Sequence, residues 1–215
     1  VIDIAAVMWA ESLTEFRGAV DDFVSRFGDY IQYKNESLAT DVIHYQHRYL
    51  LGVKETREIH IRETKERIEI DEVDKNILRS LASDARKPLV EIAEEVGESD
   101  RVVSYRIKKM EKNGLINAYR VNIDHTRLGF TWYKLWIRAK QKPPELISFI
   151  KQNPKVVYIV EGVGLPEDLD VEVMVRTGQE VFQFMKELRL HFPKLIGPYK
   201  TFMFTETKKV RYLPF

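Results

Sequence analysis

The stretch "VGESDRVVSYRIKKMEKNGLI", Val96 to Ile116, decides how the rest of the chain is read. Gly97 follows an apolar-periodic run that ends on Val96, and glycine closes a helix in the left-handed conformation at the least steric cost. Two residues on, Ser99 is a good N-cap for the next helix. Val103, Ile107 and Met110 then recur at spacings of four and three, which is one apolar stripe. Burying that stripe turns Arg101, Ser104, Tyr105, Lys108 and Lys112 outward. Two helices joined so tightly sit at a steep angle, and the second projects from the body. Its outer side chains suit base edges and phosphates: Arg and Lys for guanine or phosphate, Ser for several bases, Tyr for phosphate or a thymine methyl.

Upstream, Leu89, Ile92, Ala93 and Val96 mark a second helix with one buried face, and Val73, Ile77 and Leu81 a first. Ala93 is small where two helices approach closely. A basic amphipathic helix by itself is usually just a solvated face. Small residue, turn glycine, cap and cationic outer face in this order predict a helix-turn-helix that reads double-stranded DNA. Local charge agrees with this reading. From Gly97 to Arg120 six cations (Arg101, Arg106, Lys108, Lys109, Lys112, Arg120) face three anions, although the whole chain carries only +1. Arg106 and Lys87 join the expected DNA contacts. "EKNGLINAYRV" then turns strand-like from Leu115 to Ile123, the entry to a short wing.

Beyond residue 124 the pattern alternates between strand (Phe130–Ala139), helix (Pro144–Gln152), two strands (Val156–Gly162, Leu169–Val175), helix (Gln179–Phe192) and strand (Tyr199–Thr207). That order, βαββαβ, is ferredoxin-like. The first of these strands has Tyr133, Leu135 and Ile137 on one face and Phe130, Trp132 and Trp136 on the other. A sheet with helices on one side needs a single apolar face. The second face therefore suggests cover by another sheet, as in a homo-oligomer (a dimer or higher) formed through the sheet, or local packing by a loop or the other domain.

Residues 1–53 read as strand ("VIDIAAVMW"), helix (Phe16, Val20, Phe23, Phe27) and strand ("LATDVIHYQHRYLL"). "IDIAAVMW" resembles "LDVEVMVR" from Leu169. Phe16, Phe27, Tyr33, Lys34 and Arg48-Tyr49-Leu50 can be set against Phe184, Phe192, Tyr199, Lys200 and Arg211-Tyr212-Leu213, with two or three small gaps. The expected fold is α+β, with four segments. Residues 1–53 are a partial second copy of the ferredoxin-like domain, and 54–70 a charged linker with one short strand around Ile59 and Ile61. Residues 71–123 are a winged helix-turn-helix with its hinge strand, and 124–215 a complete ferredoxin-like domain. Half a domain leaves a sheet edge unpaired. This predicts that the chain is part of a longer one, or that its first half pairs with another chain.

Composition narrows the function. At 215 residues, 44% hydrophobic and 31% charged, the chain reads as globular and cytoplasmic, with no membrane span. Zero cysteines exclude disulfides and thiolate metal sites. The five histidines share no ligand spacing on a predicted helix, so no metal is expected. There is no nucleophile elbow or phosphate-cradling loop, and "GVGLPED" is too short and misplaced for a dinucleotide site. No cofactor and no catalysis are expected. Glu161, Glu167, Asp168 and Asp170 cluster in one turn, a solvated loop or an effector contact.

"DEVDKNILRSLASDARKPLVEIAEEVGESDRVVSYRIKKMEKNGLI", Asp71 to Ile116, resembles the DNA-binding domain of the leucine-responsive and asparagine-synthesis regulator (Lrp/AsnC) family. The matching features are Asp74 with Ile77-Leu78, "EIAEEVG", Ser99, Val103, Arg106-Ile107, and "GLI" before a strand. The resemblance implies a prokaryotic transcriptional regulator whose βαββαβ domain assembles subunits and senses a small molecule such as an amino acid. By the same resemblance Gly162, Asp168 and Asp170 become effector-binding residues. Glu98, Val102 and Ser104 depart from the family pattern, so a target DNA sequence is not carried over. The turn "EGVGLPEDLD" is longer than the family's Thr-Gly-x-Tyr-Asp turn. Sirohaem decarboxylases look similar in layout, but "VVYIVEGVG" lacks the histidine and arginine they show near the middle strands. A third reading is a sensor or assembly module without DNA binding, which would have lost the outward cations that this helix keeps.

Overall fold

A computed structural model describes residues 2–53, 57–62, 68–210, 212–213 and 215. The element order is α1 (Leu13–Phe27), β1 (Leu38–Tyr45), α2 (Arg48–Leu51), β2 (Glu58–Arg62), α3 (Glu72–Ser83), α4 (Leu89–Val96) and α5 (Asp100–Lys112). There follow β3 (Thr131–Ala139), α6 (Pro144–Gln152), β4 (Val156–Val163), β5 (Leu169–Val175), α7 (Gly178–His191) and β6 (Ile196–Phe204). The six strands form one antiparallel sheet in the order β2-β1-β4-β5-β3-β6. The four strands after residue 130 and the helices α6 and α7 make the expected βαββαβ unit.

The alternation along β3 and β5 explains the packing. Leu135, Ile137, Val171 and Val173 are fully or almost fully buried on the face that meets Leu146 and Ile150 of α6 and Phe184, Met185 and Leu188 of α7. A second, smaller core lies on the opposite face: Phe130, Val157 and Met174, with Tyr49, Leu50, Trp132 and Tyr158 against them. Between Trp132 and Trp136 the same face carries Lys134. Its ammonium lies 2.7 Å from Asp170 and 2.9 Å from Glu172, and the two indole N–H groups donate to these carboxylates. Burial alone would lower the Lys134 pKa, but Glu172 and Asp170 outweigh it and hold it above its ordinary value. Burial raises Glu172 in turn.

The N-terminal part behaves differently from its sequence pattern. Residues 2–10 form no strand, because no neighbouring strand supplies their hydrogen bonds. α1 forms as its periodicity predicts, started by Ser12, whose side chain accepts from the Glu15 amide, but none of its residues is buried. β1 adds to the open edge of β4, with Leu38 opposite Val163 and His44 opposite Tyr158, and β2 adds to β1. The strand expected around Ile59 and Ile61 is β2, whereas "RYLL" is the short α2 and not the end of a strand. At Gly162 β1 passes so close that an added Cβ would clash with the Leu38 carbonyl oxygen.

Arg48 anchors this addition. It is buried, and its guanidinium donates to the carbonyls of Lys151 (2.6 Å), Asn153 (3.3 Å) and Val156 (3.0 Å), where α6 ends and β4 begins. Carbonyls at a helix C-terminus lack intrahelical partners and favour a cation. Arg211, paired with Arg48 in the repeat, lies outside the described residues, as do parts of the 54–70 linker.

Candidate nucleic-acid interface

α3, α4 and α5 pack around Ile77, Leu78, Ile92, Ala93, Val103, Ile107 and Met110. The turn is built as its residues predict. Gly97 closes α4 at φ 72°, and the Glu98 amide returns to the Ala93 carbonyl at 3.0 Å. Ser99 caps α5, accepting from the Val102 amide at 3.4 Å. Asp71 and Asp74 form a reciprocal capping box at the start of α3.

With Val103, Ile107 and Met110 inward, α5 shows Arg101, Tyr105, Lys108, Lys109 and Lys112 to solvent, and Ser104 is half-buried between them. Among the described residues none pairs with Arg101, Tyr105, Lys108 or Lys112. Arg106 and Lys87 are placed otherwise. Arg106 bridges back to Asp71 (2.8 Å) and Asp74 (2.9 Å), so it ties α5 to the cap of α3. Lys87 pairs with Glu95 at 2.6 Å, and the same carboxylate accepts from Ser80. Periodicity placed Arg106 on the helix but could not show partners 32 and 35 positions away in sequence.

The expected wing strand does not form. After Gly114, residues 117–124 run without regular structure along the end of the β1–β2 hairpin. Asn117 donates to the His60 carbonyl, Gln46 donates to the Tyr119 carbonyl, and the His47 ring lies 3.0 Å from the Val121 carbonyl oxygen. Arg120 donates to the Tyr158 hydroxyl at 2.9 Å and reaches His44 Nδ1 at 3.3 Å. Burial, helped by Arg120 and His47, lowers the His44 pKa to about 3, so the ring stays neutral and can accept. Sequence reasoning missed this joint because three of its contacts, those of Gln46, His47 and His44, link positions more than 70 apart and reach into the N-terminal segment.

The residues singled out for an effector separate into two places. Gly162 and Asp168 line a shallow polar cavity of about 360 Å³ together with Arg138, Lys142 and Glu167. Asp168 accepts from the Ala139 amide, and Glu167 pairs with Arg138. Asp170 lies instead on the aromatic sheet face, engaged by Lys134. Among the described residues no group of three or more His, Asp or Glu could hold a metal ion, and no helix is long and apolar enough to cross a membrane.

A three-helix reader with a cationic helix, joined to a ferredoxin-like sheet, defines a DNA-binding transcriptional regulator. Residues 70–111 match the AsnC-type helix-turn-helix domain. The chain is 28% identical over 152 residues to the HTH-type transcriptional regulator FL11 of Pyrococcus horikoshii, covering 69% of this chain and 98% of that one. It is 33% identical over 132 residues to an HTH-type transcriptional regulator of Pyrococcus furiosus, covering 58% of this chain and 83% of that one. Among solved structures, AsnC of E. coli aligns with a TM-score of 0.59 at 21% identity over 68% of this chain and 99% of that one. A Neisseria meningitidis regulator in complex with L-Met aligns with a TM-score of 0.59 at 15% identity over 67% of this chain and 95% of that one. The chain belongs to the Lrp/AsnC family of transcriptional regulators.

Proposed function

We propose that residues 71–123 read DNA with α5 in the major groove, and that residues 124–215 assemble subunits and sense a small molecule. Arg101, Ser104 and Tyr105, near the start of α5, contact base edges, while Lys108 and Lys112 hold phosphates. The observation that carries this reading is the split of α5 into a buried apolar face and a solvent face whose cations have no partner among the described residues. Arg106 and Lys87 support the reader's frame instead of the DNA. The protein acts in the cytoplasm, without a catalytic step.

The aromatic face of the sheet supports oligomerisation. Trp132, Trp136, Phe202 and Phe204 lie together there around the Lys134 cluster. The cavity at Gly162 and Asp168 mixes two cations with two carboxylates, which suits the ammonium and carboxylate of an amino acid. The L-Met complex of the Neisseria regulator agrees with that ligand class.

Replacing Arg101 and Lys108 together by alanine tests the central claim. DNA fragments selected from a random pool by the intact protein are titrated at fixed salt. Affinity should fall at least about tenfold, since each charge-assisted contact contributes roughly 1 kcal/mol or more. Unchanged affinity would sink the reading.

A further inference from the structure

Residues 2–27 present an apolar surface that none of the other described residues buries. Ile4, Val7, Met8 and Trp9 are exposed, Val7 almost fully, and so are Leu13, Phe23 and Phe27 of α1. The folded C-terminal domain shows what such a segment is built to meet. Leu13, Phe16 and Val20 fall at one constant offset from Val181, Phe184 and Leu188, three buried residues of α7. With the offset one residue shorter, Ile2, Ile4, Ala6 and Met8 correspond to Leu169, Val171, Val173 and Val175, the face of β5 buried under its helices. In that copy β5 is a central strand, buried along its whole length between β3 and β4, and α7 lies over the same core as α6.

We propose that residues 2–34 bind a strand–helix–strand unit with the design of residues 131–163, which completes a second ferredoxin-like domain. The reason lies in the strand. "IDIAAVMW" is apolar on both faces except at Asp3, the pattern of a strand with neighbours on both edges and cover on both faces. A strand–helix–strand unit supplies two flanking strands and a helix beside α1. A second copy pairing isologously through residues 2–9 supplies one strand and leaves the other edge open. Charge adds a further requirement. Asp3 corresponds to Asp170, which is buried on the Lys134 ammonium. The occupant must therefore carry a cation at the position of Lys134 in its first strand.

The tail of the segment shows how the two domains join. β1 has already left the first domain and lies on the β4 edge of the second, fixed by Arg48 over the end of α6. The occupant therefore meets a segment whose far end is held in place. This inference is independent of DNA binding.

The test adds a synthetic polypeptide copying residues 130–164 to the intact 215-residue chain, and follows amide hydrogen exchange. Exchange over residues 2–9 and 13–27 should slow by about tenfold or more at one polypeptide per chain. Phe16→Asp with Val20→Asp in the chain should abolish the slowing while residues 131–204 keep their protection. Lys134→Met in the added polypeptide should weaken binding. A single-chain form, with the same unit joined ahead of Ile2 by a hairpin linker, repeats the measurement free of aggregation of the separate polypeptide. Unchanged exchange over residues 2–27 in both formats overturns the proposal. So does slowing in the chain alone with a doubled mass, which assigns the face to a second copy. Loss of protection over residues 131–163 overturns it too, because the polypeptide has then replaced the chain's own strands.

Discussion

Arg106 and Lys108 differ by two positions on one helix yet have opposite duties, because a step of two on an α-helix turns a side chain to the far face. Arg106 is held by two carboxylates of the α3 capping box, and Lys108 is free of such contacts in the described residues. Arg106→Ala should lower the melting temperature of the reader by roughly 2–4 °C, the scale of a half-exposed ion pair that also closes a cap. Lys108→Ala should leave it within about 1 °C and weaken DNA binding instead. Differential scanning calorimetry and a DNA titration on the same two variants separate the roles. His44 makes a second residue-scale prediction. Its folded pKa of about 3 lies below the ordinary 6.5, so between these values the unfolded chain binds the proton that the folded ring refuses. Stability from this group is complete above pH 6.5 and is lost as pH falls toward 3. The loss amounts to roughly 3 kcal/mol between pH 7 and pH 4. His44→Gln should flatten that part of the urea-unfolding profile, and an unchanged slope would assign the acid sensitivity to other groups.

Among the elements, β1 carries the largest structural consequence for its length. It converts the four-stranded sheet into a six-stranded one and covers the β4 edge that an isolated domain would expose. Arg48 fixes it, and removing the guanidinium leaves three carbonyls between the end of α6 and the start of β4 without this donor. Arg48→Met should cost about 2–4 kcal/mol and lower the melting temperature by several degrees, with exchange at β1 and β2 rising before the rest of the sheet. The helices of the reader were legible in the sequence because their information is local: stripe, cap and turn glycine lie within one or two turns of each other. The strands of the βαββαβ unit were legible for the same reason, and their bounds shift by a few residues at most. The place of β1 was not legible, since pairing with β4 links positions more than a hundred apart and no local pattern encodes it. Residues 2–9 show the converse. Their strand pattern is clear, yet a strand exists only once a neighbour accepts its hydrogen bonds.

At the scale of the whole molecule, the reader and the sheet form one unit through a joint that lies mostly in the N-terminal segment. The outward residues of α5 could be read from its stripe, whereas the contacts of Gln46, His47 and His60 with residues 117–121, which follow α5, could not. Binding itself should follow counterion release, with a slope of log affinity against log salt of about −2 for a reader that neutralises phosphates with Lys108 and Lys112. Lys108→Ala with Lys112→Ala should remove most of that slope, whereas Arg101→Ala should weaken binding and leave the slope nearly unchanged. The joint makes the last prediction. Arg120 is exposed along its backbone path but is held by the Tyr158 hydroxyl and the neutral His44 ring. Gln46→Ala combined with Tyr158→Phe removes one grip on residues 117–124 and one on their arginine, and leaves α5 and the helical core untouched. Trypsin cleavage after Arg120 should then accelerate about tenfold, since local opening governs proteolysis of a folded chain. DNA affinity of the single reader should stay within a factor of two or so, because no contact of α5 changes. Affinity for a site that needs two readers at fixed spacing should fall more, since a loosened reader must be reoriented before it binds. If cleavage after Arg120 keeps its original rate, the N-terminal segment does not hold the reader, and the orientation of α5 is set by the hinge residues alone.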